Sequence, residues 1–334
     1  MQFYNSLPPK IKRYSKYFLA ILVVATVIGM VVVAYKHFVQ VATKSEKVAT
    51  FKLIDPTSSD LCAQEIAQMP KAKIVTPDWT IAQTVLNLGV PIAGIGEKAS
   101  YALWVNQPSL PEQTLDLGLR LQPNLEQLII LQPDIIFLSP MYQNLETTLA
   151  SYAPVHSFDF TATQDIWTQI ETQTQALANT LAIPTCGQTL ITQTKTQIEK
   201  LAQNLKADKT RPIAVIQFID SRNFRLYQAN SLVNVAVSKL GLTNVSEQVG
   251  NLWGFTNYSL EKLADFPANT QLVIIKPYPQ AVPANLANNT LWQALPLSKD
   301  ALILDPIWTF GAITSSYIFA QALSQGLMQG GVAW

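Results

Sequence analysis

One short unit occurs twice in this chain. Asn124-Leu-Glu-Gln-Leu128 leads into Pro133-Asp-Ile-Ile-Phe-Leu-Ser-Pro140, and Ser259-Leu-Glu-Lys-Leu263 leads into Gln271-Leu-Val-Ile-Ile-Lys-Pro277. A capping residue, a helical start, a fully apolar strand and a proline follow each other in both. Apolar runs that short, alternating with helical periodicity, are the mark of an α/β fold whose strands are covered on both faces. Any two α/β units share some of this grammar. Here the two copies also share chemistry, so we expect two similar α/β lobes, with a ligand cleft between them.

The rest of the chain from residue 73 extends the pattern. Strands are predicted over Lys73–Val75, Pro91–Ile95, Asp134–Leu138 and Val155–Phe158, with helices over Thr80–Leu88, Asn124–Leu131 and Tyr142–Tyr152. A second series follows: strands at Ile213–Phe218, Gln271–Ile275 and Leu302–Leu304, and a hairpin-like Arg222–Tyr227. Helices are predicted at Ser231–Leu240, near Ser259–Ala264 and at Ile313–Leu327. Between the series, Gly187–Lys206 carries Leu190, Ile191, Ile198, Leu201, Ala202 and Leu205 on one helical stripe. A helix of about 20 residues spans roughly 30 Å, enough to join two lobes stiffly, and its lack of internal Gly or Pro predicts small closure. The expected organisation is an N-terminal lobe over 73–180, a connecting helix over 181–208 and a C-terminal lobe over 209–334.

The N-terminus is of another kind. Lys10, Lys12, Arg13 and Lys16 precede the uncharged run Tyr17–Tyr35. Basic residues before a long apolar helix direct export with the N-terminus held inside. The run reaches the length of about 20 residues that spans a bilayer. Residues 1–38 therefore read as an uncleaved anchor, with a cleaved signal as the alternative, and residues 39–72 as a polar tether. The protein is expected outside the cytoplasm, as a monomer tethered to the inner membrane. The cysteines, Cys62 and Cys186, are either a disulfide, which that compartment permits, or two unrelated buried thiols.

The net charge of +1 and the lack of a basic run past the N-terminus argue against nucleic acid. Of the two histidines, His37 lies at the membrane end and His156 alone lies in the exported part. No zinc-ligand spacing and no G-x-S-x-G elbow occurs, so hydrolytic chemistry is poorly supplied. Gly94-Ile-Gly96-Glu-Lys-Ala99 fits G-x-G-x-x-A, but it follows a second strand, and Pro108 and Pro111 interrupt what comes next. It reads as a tight turn rather than a dinucleotide site.

What the chain supplies instead is aromatic residues in predicted loops: Trp79, Tyr101 with Trp104, Tyr142, Trp253 with Phe255, and Trp308 with Phe310. Several lie just past strand carboxyl ends, where open α/β sheets bind ligands. Arg120, alone between Leu119 and Leu121, is the always-charged donor among them.

These segments carry a resemblance. Leu103-Trp-Val-Asn-Gln-Pro-Ser-Leu-Pro111, Gly118-Leu-Arg-Leu-Gln-Pro-Asn-Leu-Glu126, Asn251-Leu-Trp-Gly254, Leu291-Trp-Gln-Ala-Leu-Pro296 and Ile307-Trp-Thr-Phe-Gly-Ala312 resemble the periplasmic binding proteins of iron–siderophore and vitamin B12 importers, most of all the ferric hydroxamate type. The likeness runs from about Lys73 to Leu327. It implies a binding protein rather than an enzyme, two lobes on a rigid helix, and delivery of a ferric hydroxamate siderophore to an inner-membrane ABC permease. By the same likeness Arg120 and Tyr142 bond the hydroxamate oxygens, and Trp104, Trp253 and Trp308 wall the pocket; Trp79, from its place after the first strand, is expected to join them. Phe310 departs from the pattern, which has tyrosine there, so one hydroxyl contact is missing. Glu146 and Glu261 match the carboxylates that dock on permease arginines. No cofactor is implied, since the iron arrives already chelated. Cobalamin, haem or another metal chelate is the alternative cargo.

Overall fold

The computed structural model describes residues 51–161 and 165–332. The predicted anchor helix over 17–35 lies outside the described residues. Among the described residues, no helix is long and apolar enough to cross a membrane.

Among the described residues, a 3-10 turn at Pro56–Ser58 leads into a short helix, α1 (Asp60–Gln68), and the chain then alternates: β1 (Ile74–Thr76), α2 (Trp79–Asn87), β2 (Gly94–Ile95), α3 (Lys98–Trp104) and β3 (Leu115–Asp116). A small hairpin follows, β4 (Gly118–Leu119) and β5 (Gln122–Pro123), before α4 (Leu125–Leu131), β6 (Ile135–Leu138), α5 (Glu146–Leu149) and β7 (Val155–Ser157). Two long helices come next, α6 (Ile166–Thr180) and α7 (Pro184–Asn204). The second series is β8 (Ile213–Phe218), β9 (Asn223–Tyr227), α8 (Leu232–Lys239), β10 (Phe255–Ser259), β11 (Gln271–Ile275), α9 (Val282–Ala287), α10 (Thr290–Ala294), β12 (Leu302–Leu304) and α11 (Ile313–Gln329).

The strands build two five-stranded sheets. The first has the order β3-β2-β1-β6-β7 and is parallel throughout; the second has the order β10-β9-β8-β11-β12, parallel from β8 onward and antiparallel at β9 and β10. Period-two alternation decides which side chain goes where. Ile74, Val215 and Val273 enter a large core shared with α2, α6, α7, α8 and α11. Their neighbours face the other way. Val75 and Ile136 pack with Leu128 and Leu149 on the first sheet, and Ala214, Ile216 and Leu272 pack with Leu260 and Trp292 on the second. Side-chain caps fix the helix starts: Asp78 accepts from the N–H groups of Thr80 and Ile81, and Asn124 from those of Glu126 and Gln127.

The helix expected over 187–206 is α7, which begins three residues earlier, with Pro184 in its first turn and Gly187 inside it. That corrects the expectation of a helix without Gly or Pro. Proline costs nothing there because a first-turn N–H has no helical partner. Gly187 is a close approach: a Cβ would stand 2.6 Å from the Ala178 Cβ, so its absence lets α7 lie against α6.

Residues 51–72 are also corrected. They do not form a bare tether. Cys62 on α1 is disulfide-bonded to Cys186 on α7, with 4.7 Å between the Cα atoms, and both cysteines are fully buried. The Glu65 carboxylate accepts from the Thr185 and Cys186 N–H groups at 3.0 and 3.1 Å, capping α7 from a distant part of the chain. The helices α1, α3, α6, α9 and α10 and the strands β3, β4, β5 and β10 went unpredicted. Tyr101 and Trp104 therefore lie on a helix rather than in a loop.

Candidate functional site

The loops past the carboxyl ends of β1, β6, β7 and β12 converge with β9 and the loop before β10 on two adjoining chambers. The first, of about 270 Å³, is lined by residues that include Asp78, Ser139, Met141, Asp159, Asn230, Trp253 and Phe310. The second, of about 250 Å³, is lined by Asp78, Thr80, Arg120, Met141, Tyr142, Arg225, Trp253, Phe255, Trp308 and Phe310. Asp78, Thr80, Met141, Trp253 and Phe310 are common to both.

Local geometry places each side chain. Arg120 sits at the turn of the β4–β5 hairpin, which pairs Leu119 with Gln122. Its Cζ lies 3.9 Å from the centre of the Trp79 ring, and its Nε is 3.5 Å from Glu97 Oε2. The Trp79 indole N–H is spent on the Gly96 carbonyl at 2.9 Å, so the ring is fixed as a platform. Trp79 touches Trp308 at 5.3 Å between ring centres, and Trp308 touches Phe310 at 5.2 Å. Arg225 stands over Phe310 at 5.7 Å and over Phe255 at 5.0 Å. A continuous band of rings thus runs from one guanidinium to the other, each cation lying over a ring face as the ring quadrupole favours. Trp253, exposed at 39%, packs edge-on to Phe310 at 5.8 Å.

Hydrogen bonds tie this band to both sheets. The Trp308 indole donates to Thr80 Oγ1 at 3.1 Å, and the Thr80 hydroxyl donates to the Phe310 carbonyl at 2.6 Å. Asp78 caps α2 with one oxygen and accepts the Ser139 hydroxyl with the other at 2.6 Å. Tyr142, on the tight turn after β6, is almost wholly buried and its hydroxyl donates to the Pro77 carbonyl at 3.3 Å. Burial pushes its phenol well above the ordinary value. The Asp78 carboxylate adds to the rise, and the Arg120 guanidinium opposes it. Tyr142 therefore acts as a neutral donor.

Of the residues singled out from sequence, the structure brings Arg120, Tyr142, Trp253, Trp308 and Phe310 to one cavity. Trp79 stands behind Arg120. Trp104, half-buried on α3, packs against the central core and lines neither chamber. Glu146 and Glu261 are exposed, each in the first turn of a short helix after Leu145 and Ser259. The Ser259 hydroxyl bonds the Glu261 carboxyl and holds it below the usual carboxylate range. His156 is exposed on β7. The Gly94–Ala99 turn holds no phosphate cradle. A Cβ on Gly96 would meet the Arg120 Cα at 2.9 Å, so the backbone of Arg120 fills that space.

Sequence reasoning missed Arg225, Asp78 and Asp159. Arg225 had a readable signal: it sits between Phe224 and Leu226 as Arg120 sits between Leu119 and Leu121. Alternation along β9 sets it apart from those two buried side chains.

The arrangement suits holding an oxygen-rich, apolar-edged guest. Two guanidiniums and a phenol donate hydrogen bonds, and tryptophan and phenylalanine rings cover apolar surface. Among the described residues, no group of three or more His, Cys, Asp or Glu side chains is placed to hold a metal ion.

Comparison with known proteins supplies the context. A family model described as periplasmic binding protein matches residues 74–300. The iron(3+)-hydroxamate-binding protein FhuD of Escherichia coli (strain K12) is 26% identical over 283 residues, 84% of this chain and 95% of that protein. In fold, the chain is similar to the Fe3+–Desferal-bound siderophore-binding protein FhuD of Vibrio cholerae. The TM-score is 0.73 at 24% identity, covering 79% of this chain and 100% of that one. FhuD2 of Staphylococcus aureus with bound ferrioxamine B gives a TM-score of 0.61 at 14% identity, over 78% and 99% of the two chains. With the family match spanning more than half of its 334 residues, the chain belongs to the periplasmic binding protein family.

Proposed function

We propose that the chain is the solute-binding component of an iron–siderophore ABC importer and that its ligand is a ferric hydroxamate. The observation that carries this reading is the pairing of Arg120 and Arg225 across one aromatic band, with Tyr142 beside them. A ferric trishydroxamate fills its iron's coordination sphere with its own oxygens. The protein then needs hydrogen-bond donors for those oxygens and apolar walls for the periphery, but no metal ligands. An arginine fork suits paired oxygens geometrically, and burial among rings strengthens each bond. The Tyr142 hydroxyl, now on a long bond to Pro77, is available to turn toward a chelate oxygen.

In this reading the two sheets are the cores of two lobes, α7 joins them, and the cleft between their loops takes the chelate. The core that runs continuously beneath both sheets favours small closure over wide opening. Glu146 and Glu261, one exposed on each half, are the permease-docking carboxylates. The apolar run 17–35 is the membrane anchor that keeps the protein on the outer face of the inner membrane.

The test is titration of the purified protein with ferrioxamine B, followed by tryptophan fluorescence. Saturable quenching is expected, because Trp253 and Trp308 line the cavity. A response to haem or cobalamin with none to any ferric hydroxamate would overturn the ligand assignment.

A further inference from the structure

The Gly94–Ala99 turn matches a phosphate-binding pattern without serving as one, and its residues have another use. Gly96 lets the Arg120 backbone approach closely. Its carbonyl fixes the Trp79 indole beneath the guanidinium. Glu97 then stands beside Arg120 in the left-handed region, at φ 51°, a strained backbone for a residue with a Cβ. Its N–H is tied to the Gly118 carbonyl at 2.7 Å, on the same hairpin that carries Arg120. The hairpin and the turn therefore hold each other, and the outcome is a carboxylate oxygen 3.5 Å from Arg120 Nε.

We propose that Glu97 seats Arg120 and, together with Asp78, balances the charge of the cleft, so that the site takes an uncharged ferric chelate in preference to an anionic one. This rests on the ferric-chelate reading above. An arginine has five N–H donors. With Nε buried against Glu97 in an ion pair at 3.5 Å rather than a hydrogen bond, and the guanidinium over Trp79, the terminal nitrogens are the donors left for a guest. Glu97 is a positioning residue in this sense, acting through Arg120.

The charge count points the same way. Arg120 and Arg225 bring two positive charges to the second chamber. Asp78 on its wall and Glu97 behind Arg120 bring two negative ones, and Asp159 adds another in the adjoining chamber. A ferric trishydroxamate is neutral overall, since three singly charged hydroxamates cancel the ferric ion. Its oxygens still carry enough negative charge to accept from an arginine fork. A chelate with surplus negative charge meets the same donors but also the carboxylates, whose repulsion is least screened where water is excluded.

The experiment compares N-acetylferrioxamine B, which is neutral, with N-succinylferrioxamine B, which has the same chelating core and one added carboxylate. Both are titrated into the wild-type protein, Glu97→Gln, Arg120→Ala and the double variant. A partly exposed ion pair supports an effect of about two- to fivefold. Wild type is expected to prefer the acetyl form. Glu97→Gln should bind the acetyl form about two- to fivefold more weakly and should narrow its preference over the succinyl form. On the acetyl form, that loss should vanish in the Arg120→Ala background, which a merely structural role would not produce. Glu97→Gly, which relaxes the backbone at φ 51°, should melt no lower than wild type and still lose affinity. An equal loss with and without Arg120, or an unchanged preference in Glu97→Gln, would overturn the assignment while leaving the ferric-hydroxamate reading intact. Failure of wild type to bind either probe would remove both.

Discussion

Arg120 and Arg225 share a local pattern, an arginine between two large apolar residues, yet those neighbours fare oppositely. Leu119 and Leu121 are about 60% exposed, whereas Phe224 and Leu226 are buried at 0% and 1%. The difference is tertiary. Arg120 lies on a two-stranded hairpin whose outer face nothing covers among the described residues, so turning the arginine inward leaves the leucines in water. Arg225 lies on β9, paired on both sides within a five-stranded sheet. There, strict alternation sends Phe224 and Leu226 into the outer core and the arginine to the cleft side. The hydrophobic pattern thus fixed which residues alternate, and the number of partners of each strand fixed which face was dry.

The sharpest way to break the comparison is through the flanking residues. Phe224→Ala empties a fully buried position in the second sheet's core and should cost about 3–5 kcal/mol in denaturant unfolding. Leu119→Ala should stay within about 0.5 kcal/mol of wild type, as exposed positions do. Comparable losses at both sites would mean that the hairpin's outer face is covered in solution.

Next in size are the arginines as ligand donors. Arg120→Ala should weaken ferric hydroxamate binding by about 1.5–3 kcal/mol, the range for a charge-assisted hydrogen bond, with little change in melting temperature. An unchanged dissociation constant would remove Arg120 from the site.

These two arginines also mark where sequence reading succeeds and where it stops. Arg120 was legible because it stood alone in a weakly charged segment within a family-like motif. The main strands and capped helices were legible for local reasons: continuous apolar runs at Ile213–Phe218 and Gln271–Ile275, and Asp, Asn or Ser at helix starts. α6 was not. Its buried face consists of Ile166, Ile170, Thr174, Leu177 and Ala178 in a Gln- and Thr-rich stretch, too sparse a stripe to stand out from a polar loop. α1 was not legible either, because Cys62 is its only buried residue. Its order comes from the disulfide to Cys186 and from Glu65 on the end of α7, partners more than a hundred residues away. The left-handed Glu97 follows the same rule, since its conformation depends on the Gly118 carbonyl across the hairpin.

A smaller effect separates how the guanidiniums are held. Arg120 has a carboxylate and an indole, while Arg225 has two phenyl rings and the Gln217 side-chain oxygen at 3.4 Å. Arg225→Lys keeps the charge but loses the flat stacking surface. It should cost about 0.5–1 kcal/mol of affinity, measured by the same titration. A full loss equal to Arg225→Ala would mean that the planar fork carries the whole ligand contact and the charge alone none of it.

The finest test uses Tyr227, which shares β9 with Arg225. Its hydroxyl lies 2.7 Å from Thr309 Oγ1 and 3.2 Å from Gln217 Oε1, deep in the core. Burial pushes the phenol up to about 12, while the bond to Thr309 and the nearby Arg225 charge hold it back. The folded state therefore keeps this proton over a window, roughly pH 10 to 12, in which the unfolded chain, titrating at about 10, has lost it. Within that window the native state binds more protons than the unfolded one, so stability must fall as pH rises. Tyr227→Phe should flatten the fall above pH 10 in melting temperature, and Arg225→Ala, by removing a charge that favours the phenolate, should shift the Tyr227 titration upward. An alkaline transition untouched by Arg225→Ala would show that the second guanidinium does not reach Tyr227, and that it is held by the rings and the Gln217 oxygen alone.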